Sequence, residues 1–174
     1  MKSLWSDAES DKFKDDLELR VYTSRLLGQD PSLVLHGGGN TSVKITETNL
    51  VGSKEDILYV KGSGWDLVSI EKDGFSPVRI THMLNLSKLK SLSDPQMVNE
   101  LKTQLTNATS PTPSVETILH AILPFKYVDH THADAILTLT NQVDGDQHVR
   151  AALGDDIVIP VSYTHLTLPT ILLV

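Results

Sequence analysis

The spacing of apolar residues predicts alternating strands and helices along most of the chain. Apolar positions recur with a helical period between Asp16 and Leu27, and Gly28 is expected to end that helix. Short apolar runs indicate strands at 32–35, 41–45, 56–60, 77–80, 126–132 and 156–161. Further helices are predicted at 81–92, 94–105, 114–123 and 133–139, with Asp94 and Ser114 as N-caps of the second and third. This mixture predicts an α/β domain.

Two glycine-rich turns lie at the ends of predicted strands. Residues 36–42 read His-Gly-Gly-Gly-Asn-Thr-Ser, and residues 61–65 read Lys-Gly-Ser-Gly-Trp. Glycines allow positive φ and leave backbone N–H groups exposed, which together with the Asn40 amide and the Ser63 hydroxyl can surround an anion. An ordinary hairpin turn explains either segment alone. Two such turns in one small domain favour a phosphate site built from both.

A histidine pair and a glutamate supply the donor types of a metal site. His130 and His132 are separated by one residue, and alternate residues of a strand face the same side. Glu116 adds a carboxylate in the first turn of the helix that Ser114 is expected to cap. Two imidazoles and one carboxylate are an open zinc-type set. The histidine pair alternatively caps a buried strand, and His120 is either a further ligand or a buried, hydrogen-bonded helix residue.

Composition and charge restrict the class of protein. The chain has 174 residues, of which 40% are hydrophobic, so one domain with a real core is expected. A net charge of −7 argues against a nucleic-acid partner, and the absence of cysteine excludes disulfides and thiolate metal sites. The N-terminus leads into a charged run and no apolar run reaches membrane-spanning length, which predicts a cytoplasmic protein without a membrane partner.

Four segments, in this order, resemble the class II aldolase/adducin family. They are 39–42, 61–64, 113–116 with His120, and 130–132, and the resemblance extends over about 17–161. The residues of these segments are most similar to those in the aldolase half of bifunctional rhamnulose-1-phosphate aldolase/short-chain dehydrogenase proteins. The resemblance implies a three-layer α/β/α domain with a mixed, largely antiparallel central sheet over 1–161. That domain is expected to be C-terminally truncated, and residues 162–174 to be a tail unrelated to it.

The resemblance also implies a role for each matching residue. His130, His132 and Glu116 would bind a divalent metal, usually zinc, and Glu116 would serve as the catalytic acid/base. The implied phosphate-binding residues are Gly39, Asn40, Ser63, Gly64 and Ser114. In the family a third metal histidine lies well downstream of the pair. Only His148 and His165 follow here, and neither has the family's surroundings.

The implied activity is the reversible, metal-dependent retro-aldol cleavage of a ketose 1-phosphate. A substrate similar to rhamnulose 1-phosphate would give dihydroxyacetone phosphate and lactaldehyde, and the intact parent would be a homo-oligomer, a tetramer in the family's aldolases. Alternatives in the same family are a sugar-phosphate 4-epimerase, a decarboxylase, and a non-catalytic adducin-like module or inactive fragment. Retention of His130, His132 and Glu116 argues against the non-catalytic alternative.

Overall fold

The computed structural model describes residues 2–154 and 157–159 and has an α/β fold. Seven α-helices lie in the described part: α1 (Asp7–Ser10), α2 (Asp16–Gly28), α3 (Ile80–Leu86), α4 (Asp94–Thr103), α5 (Thr117–Ile122), α6 (Asp134–Thr140) and α7 (Gly145–Leu153). Four strands of this part form one sheet: β1 (Asn40–Thr48), β2 (Lys54–Lys61), β3 (Phe75–Arg79) and β4 (Tyr127–His130). None of the helices in this part is long and apolar enough to cross a bilayer.

The sheet has the order β3-β2-β1-β4, and all neighbouring strands are antiparallel. A tight turn joins β1 to β2, because the side-chain oxygen of Asn49 accepts hydrogen bonds from the backbone of Val51 and Ser53. Strand β4 arrives from much later in the chain and pairs with the other side of β1. Its register places His130 opposite Asn40, which brings the histidine segment next to the first glycine-rich turn.

Helices cover both faces of the sheet, which confirms the expected layered α/β architecture. Because side chains alternate along a strand, two consecutive residues of β1 face helices on opposite sides of the sheet. Thr41 Oγ1 lies 2.8 Å from Ser24 Oγ on α2, whereas Ser42 Oγ lies 2.8 Å from His120 Nδ1 on α5. The face toward α5 carries the main core, whose buried members include Leu58, Val60, Val78, Met83, Leu101 and Ile118. Burying each such side chain contributes roughly 1.5–3 kcal/mol.

The strand predicted at 32–35 is wrong, because this segment is a turn. The Asp30 carboxylate accepts hydrogen bonds from the backbone N–H and the hydroxyl of Ser32, and the Asp30 carbonyl accepts from Leu33 and Val34. The carbonyls of Ser32 and Leu33 instead accept from residues 134 and 132, just beyond β4. The glycine-rich segment that follows is therefore not a hairpin between two strands.

Several predicted helix ends are also corrected. Helix α3 ends at Leu86 instead of residue 92, and Ser93, not Asp94, is the N-cap of α4 through a capping box with Gln96. Helix α7 lies between the last predicted helix, at 133–139, and the last predicted strand, at 156–161, and was not itself predicted. Its N-cap, Asp144, has φ of 59°, a left-handed conformation that periodicity does not reveal.

The helix predicted to begin after Ser114 begins later. Glu116 takes the N-cap position of α5, and Ser114 lies in the preceding turn, where its carbonyl accepts from the backbone N–H of Thr117. At the end of the chain, the described part of the strand predicted for 156–161, namely 157–159, forms no strand. The proposed tail, 162–174, lies outside the described residues.

Candidate active site

Glu116 is the meeting point of three segments that are distant in sequence. Its Oε2 atom lies 3.0 Å from Nδ1 of His130 on β4 and accepts from Nδ2 of Asn40 on β1 at 3.2 Å. The hydroxyl of Ser114 lies 3.5 Å from the same oxygen, at the limit of a hydrogen bond. The structure therefore brings together the glutamate and the first histidine that the sequence singled out.

The second histidine packs against the first. The ring centroids of His130 and His132 are 4.9 Å apart, and the rings are inclined by 64°. The backbone N–H of His132 donates to the Leu33 carbonyl at 2.9 Å, which holds this residue just past the end of β4. A Cβ on Gly38 would lie 3.3 Å from Nδ1 of His132, so the glycine-rich turn lies close to this ring. Both rings line the same cleft as Glu116.

The surroundings of Glu116 favour its ionised form. Burial by itself would raise the pKa of Glu116, but the hydrogen bond and the electrostatic interaction with His130 outweigh burial, with Asn40 adding a smaller effect. The net result lowers the pKa of Glu116 to about 2. A carboxylate ionised at neutral pH can act as a proton acceptor or as a ligand to a cation.

His120 was expected to be either a further metal ligand or a buried, hydrogen-bonded helix residue, and the structure shows the second. Its side chain is 1% exposed and pairs with the equally buried Ser42 hydroxyl at 2.8 Å. Burial lowers the pKa of His120 to about 4, so the ring is neutral at neutral pH. It does not line the cleft that contains Glu116.

The cleft beside these residues has a volume of about 300 Å³ and is bordered by both glycine-rich turns. Among its lining residues, Lys61 is the only lysine or arginine. Lys61 is 5% exposed, and its ammonium group donates to the Gly37 carbonyl at 3.0 Å. Burial lowers the pKa of Lys61, and the charges of Asp66 and Glu116 oppose that shift. Sequence reasoning gave this cation no role, although it is the first residue of the second glycine-rich turn.

The predicted phosphate-binding residues divide into two groups. Gly39, Ser63, Gly64 and Ser114 line the cleft, whereas Asn40 does not and is only 1% exposed. Several backbone donors of the two turns are already used within the protein: the N–H groups of 38, 62 and 63 bond to the carbonyls of 35, 74 and 112. The amides of Gly39 and Gly64, at φ of 69° and 89°, donate no hydrogen bond within the described residues. With the amide of Gly37, which lines the cleft and likewise donates to no described residue, these amides remain available to an anion.

The donor types at the site fit a divalent cation, but the side chains are not arranged around a common centre. Within the described ranges, no three His, Cys, Asp or Glu side chains are grouped so that they could hold one ion. Glu116 and His130 instead bond directly to each other, and coordination would replace that hydrogen bond. His148 lies on α7 and does not line the cleft, and His165 falls outside the described residues.

A buried arginine, also missed from the sequence, supports the histidine strand. Arg20 on α2 is 1% exposed, and its Nη1 atom lies 2.7 Å from Oδ1 of Asp129, the residue before His130. Its guanidinium also lies 5.8 Å from the centre of the Tyr127 ring. In sequence, Arg20 is only a polar position in an amphipathic helix, so the pattern carries no signal for its burial.

Comparison with known proteins gives a consistent result. The family model described as "Class II Aldolase and Adducin N-terminal domain" matches residues 18–170. The N-terminal class II aldolase domain of a conserved protein from Thermoplasma acidophilum superposes with a TM-score of 0.81 at 45% identity, over 88% of this chain and 70% of that one. An uncharacterized oxidoreductase, YuxG, from Bacillus subtilis (strain 168) is 36% identical over 158 residues. That alignment takes in 91% of this chain but only 23% of the relative's length.

Proposed function

The chain belongs to the class II aldolase/adducin family, and on that premise we propose that it performs the metal-dependent aldol chemistry of a sugar phosphate. The reaction is the reversible cleavage of a ketose 1-phosphate to dihydroxyacetone phosphate and an aldehyde. With a substrate similar to rhamnulose 1-phosphate, the aldehyde is lactaldehyde. The observation that supports this most is an ionised Glu116 in contact with one of two neighbouring imidazoles at a cleft that also holds a buried lysine.

Glu116 is the proposed acid/base. In the condensation direction its carboxylate takes a proton from the carbon of dihydroxyacetone phosphate that will form the new bond, and in cleavage it returns that proton. Among the described residues, three side chains contact the carboxylate and all three contacts fall on Oε2, so Oε1 is the oxygen left to receive the proton. A positioned general base contributes roughly 10²–10⁴-fold to such a step.

A divalent cation, most simply zinc, would be held by His130, His132 and Glu116 and would supply a Lewis acid for the ketone oxygen. Among the protein's own groups, the two imidazoles would orient the reacting end of the substrate beside Glu116.

The phosphate would bind at the glycine-rich end of the cleft. Lys61 supplies positive charge, the free amides of Gly39 and Gly64 supply donors, and the hydroxyls of Ser63 and Ser114 line the same space. Charge-assisted hydrogen bonds of this kind are about twice as strong as neutral ones. Holding the phosphate fixes the distance between the reacting carbon and Glu116, which lowers the entropic part of the barrier.

The parent protein is proposed to be larger than this chain and bifunctional. The chain spans less than a quarter of the length of YuxG, which is named an oxidoreductase, and this supports an aldolase domain joined to a dehydrogenase. A cytoplasmic, homo-oligomeric parent, tetrameric like other aldolases of the family, completes the proposal.

Proton exchange tests the assignment of Glu116. The protein is incubated with zinc and dihydroxyacetone phosphate in D₂O, and loss of the substrate C–H signal is followed by NMR. The wild type should exchange one hydrogen, whereas Glu116→Gln should lose exchange and keep its affinity for inorganic phosphate within about twofold, because the phosphate contacts are unchanged. Exchange at the wild-type rate in the Gln variant would rule out this role. Product analysis with rhamnulose 1-phosphate, fuculose 1-phosphate and ribulose 5-phosphate separates an aldolase from a 4-epimerase.

A further inference from the structure

We propose that Arg20 is a positioning residue for His130, on which it acts through its contact with Asp129. By holding Asp129, it fixes the strand that presents His130 to Glu116. The inference rests on the proposed function, in which His130 and Glu116 are groups of the reacting centre. Three observations support it: a buried ion pair, a hydrogen-bonded link from α2 to two strands, and the register of β1 with β4.

Strand β4 is short and lies at an edge of the sheet. It has four residues, and in the described part of the chain β1 is its only neighbouring strand. Segments with few backbone bonds and one neighbour open more easily than the core of a domain. His130 is the last residue of β4, so the position of its ring depends on how firmly this strand is held.

Helix α2 holds β4 from one face of the sheet. Arg20 is 1% exposed, and its Nη1 atom lies 2.7 Å from Oδ1 of Asp129. The Nε–H of Arg20 donates to Ser24 Oγ at 3.2 Å, and that hydroxyl lies 2.8 Å from Thr41 Oγ1 on β1. Thr41 and Asp129 are direct cross-strand partners, so α2 contacts β1 and β4 at the same point of their pairing.

The adjacent cross-strand pair belongs to the site on the opposite face. Asn40 pairs with His130, and both side chains contact the same Glu116 oxygen, at 3.2 and 3.0 Å. Because side chains alternate along a strand, a contact that holds Asp129 on one face also fixes His130 on the other. Without Arg20, β4 is free to rotate or shift, and the contact from His130 to Glu116 is lengthened.

Stability alone gives no reason for a charge at position 20. The Nη2 atom of Arg20 is buried and has no partner among the described residues. Replacing a buried ion pair with apolar side chains of similar volume is often neutral or stabilising. The guanidinium differs from an apolar side chain because it donates in two directions, to Ser24 on its own helix and to Asp129 on β4. It therefore fixes the placement of the strand.

Three variants separate positioning from stability. Arg20→Met fills a similar volume and removes both donors, whereas Asp129→Asn keeps an acceptor for the guanidinium. Arg25→Met is the matched control, because Arg25 lies on the same helix and donates instead to the Ile70 carbonyl at 2.8 Å. For each protein, kcat and KM for proton exchange with dihydroxyacetone phosphate are measured in D₂O with zinc present, and stability is measured by urea unfolding.

Arg20→Met should lower kcat for exchange roughly 10–100-fold, the usual effect of losing a residue that orients a reacting group, and keep KM within about threefold. Asp129→Asn should lower kcat less than Arg20→Met, although it lowers stability more, because its oxygen still accepts from Arg20. Arg25→Met should keep kcat within about twofold of the wild type. Wild-type kcat in Arg20→Met, or losses of kcat that follow the order of the losses in stability, would overturn the proposal.

The imidazole resonances of His130 in ¹⁵N-labelled protein give a readout that does not depend on turnover. Glu116→Gln should shift them in the wild type, because it removes the charge beside Nδ1. In the Arg20→Met background the same substitution should shift them at most about half as much, since the two groups are no longer held together. An undiminished shift would refute the positioning role. If the wild type exchanges no proton, the proposed aldolase function fails, whereas these resonances still decide the role of Arg20.

Discussion

The ion pair between Arg20 and Asp129 predicts two very different costs for removing the same interaction. Arg20 is 1% exposed and Asp129 is 50% exposed, and their charged atoms are 2.7 Å apart. Burial lowers the pKa of Arg20, and the charge of Asp129 opposes that shift. An unpaired Arg20 is therefore more costly than an unpaired Asp129, because water reaches the carboxylate but not the guanidinium.

Asp129→Asn leaves a buried guanidinium without its counter-charge. Breaking a buried pair by removing one partner costs roughly 3–5 kcal/mol. Because Asp129 is half exposed and an asparagine oxygen can still accept a hydrogen bond, we expect the free energy of unfolding to fall by about 2 kcal/mol.

Arg20→Met removes the charge that needs a partner and fills a similar volume with apolar atoms. Ser24 keeps its hydrogen bonds to the carbonyl of residue 20 at 2.6 Å and to Thr41 at 2.8 Å. The freed carboxylate of Asp129 is hydrated at the surface. The expected cost is therefore about 1 kcal/mol or less, since replacing a buried charge with a well-packed apolar side chain is often close to neutral.

Urea unfolding followed by circular dichroism measures both costs. The double variant, Arg20→Met with Asp129→Asn, should unfold within about 0.5 kcal/mol of Arg20→Met alone, because no buried cation remains to be stranded. A larger cost for Arg20→Met than for Asp129→Asn would show that the pair is a net source of stability and would refute this reasoning.

Three further outcomes are expected. Lys61→Gln should weaken inorganic phosphate binding about tenfold in a calorimetric titration, since Lys61 is the only lysine or arginine among the described residues that line the cleft, and unchanged affinity would remove Lys61 from the phosphate site. Gly39→Ala should lower the melting temperature more than Gly52→Ala. Both glycines have positive φ, but a Cβ added at 39 would lie 2.6 Å from a valine carbon, whereas no described atom lies within 4 Å of a Cβ added at 52. Equal losses of melting temperature would contradict this. Asp16→Asn should flatten the loss of stability in acid. The hydrogen bond from Lys126 lowers the pKa of Asp16 below its usual 3.8, so the stabilisation is complete above that pH and disappears as the pH falls through the folded value; identical acid-unfolding curves would contradict this.

Periodicity predicts the elements whose side chains face one way along a buried surface. Strands β1, β2 and β3 and helix α2 fall where the apolar pattern places them, within a few residues. Residues 32–35 are as apolar as a short strand, but the Asp30 carboxylate bonds their backbone into a turn. A short apolar run does not distinguish these outcomes, because the deciding group is a polar side chain outside the run.

In the site, too, the sequence predicts some features and the structure is needed for others. Motif order and resemblance identify Glu116 and His130, and the structure places them 3.0 Å apart. The partner of the Asn40 amide depends on the register of β1 with β4, which no local pattern specifies. The burial of Lys61 likewise depends on how the two glycine-rich turns meet. Spacing along the chain therefore predicts which residues take part, while strand pairing decides what each of them contacts.

Glu116, His130 and His132 are proposed to form one functional centre. Titration of the ¹⁵N-labelled chain with Zn²⁺, following the imidazole resonances, tests it most directly. The His130 and His132 rings should respond together, both should saturate at one zinc per chain, and Glu116→Gln should weaken their response. Rings that respond at different zinc concentrations, or zinc that is taken up by His148 while both rings stay unchanged, would contradict it.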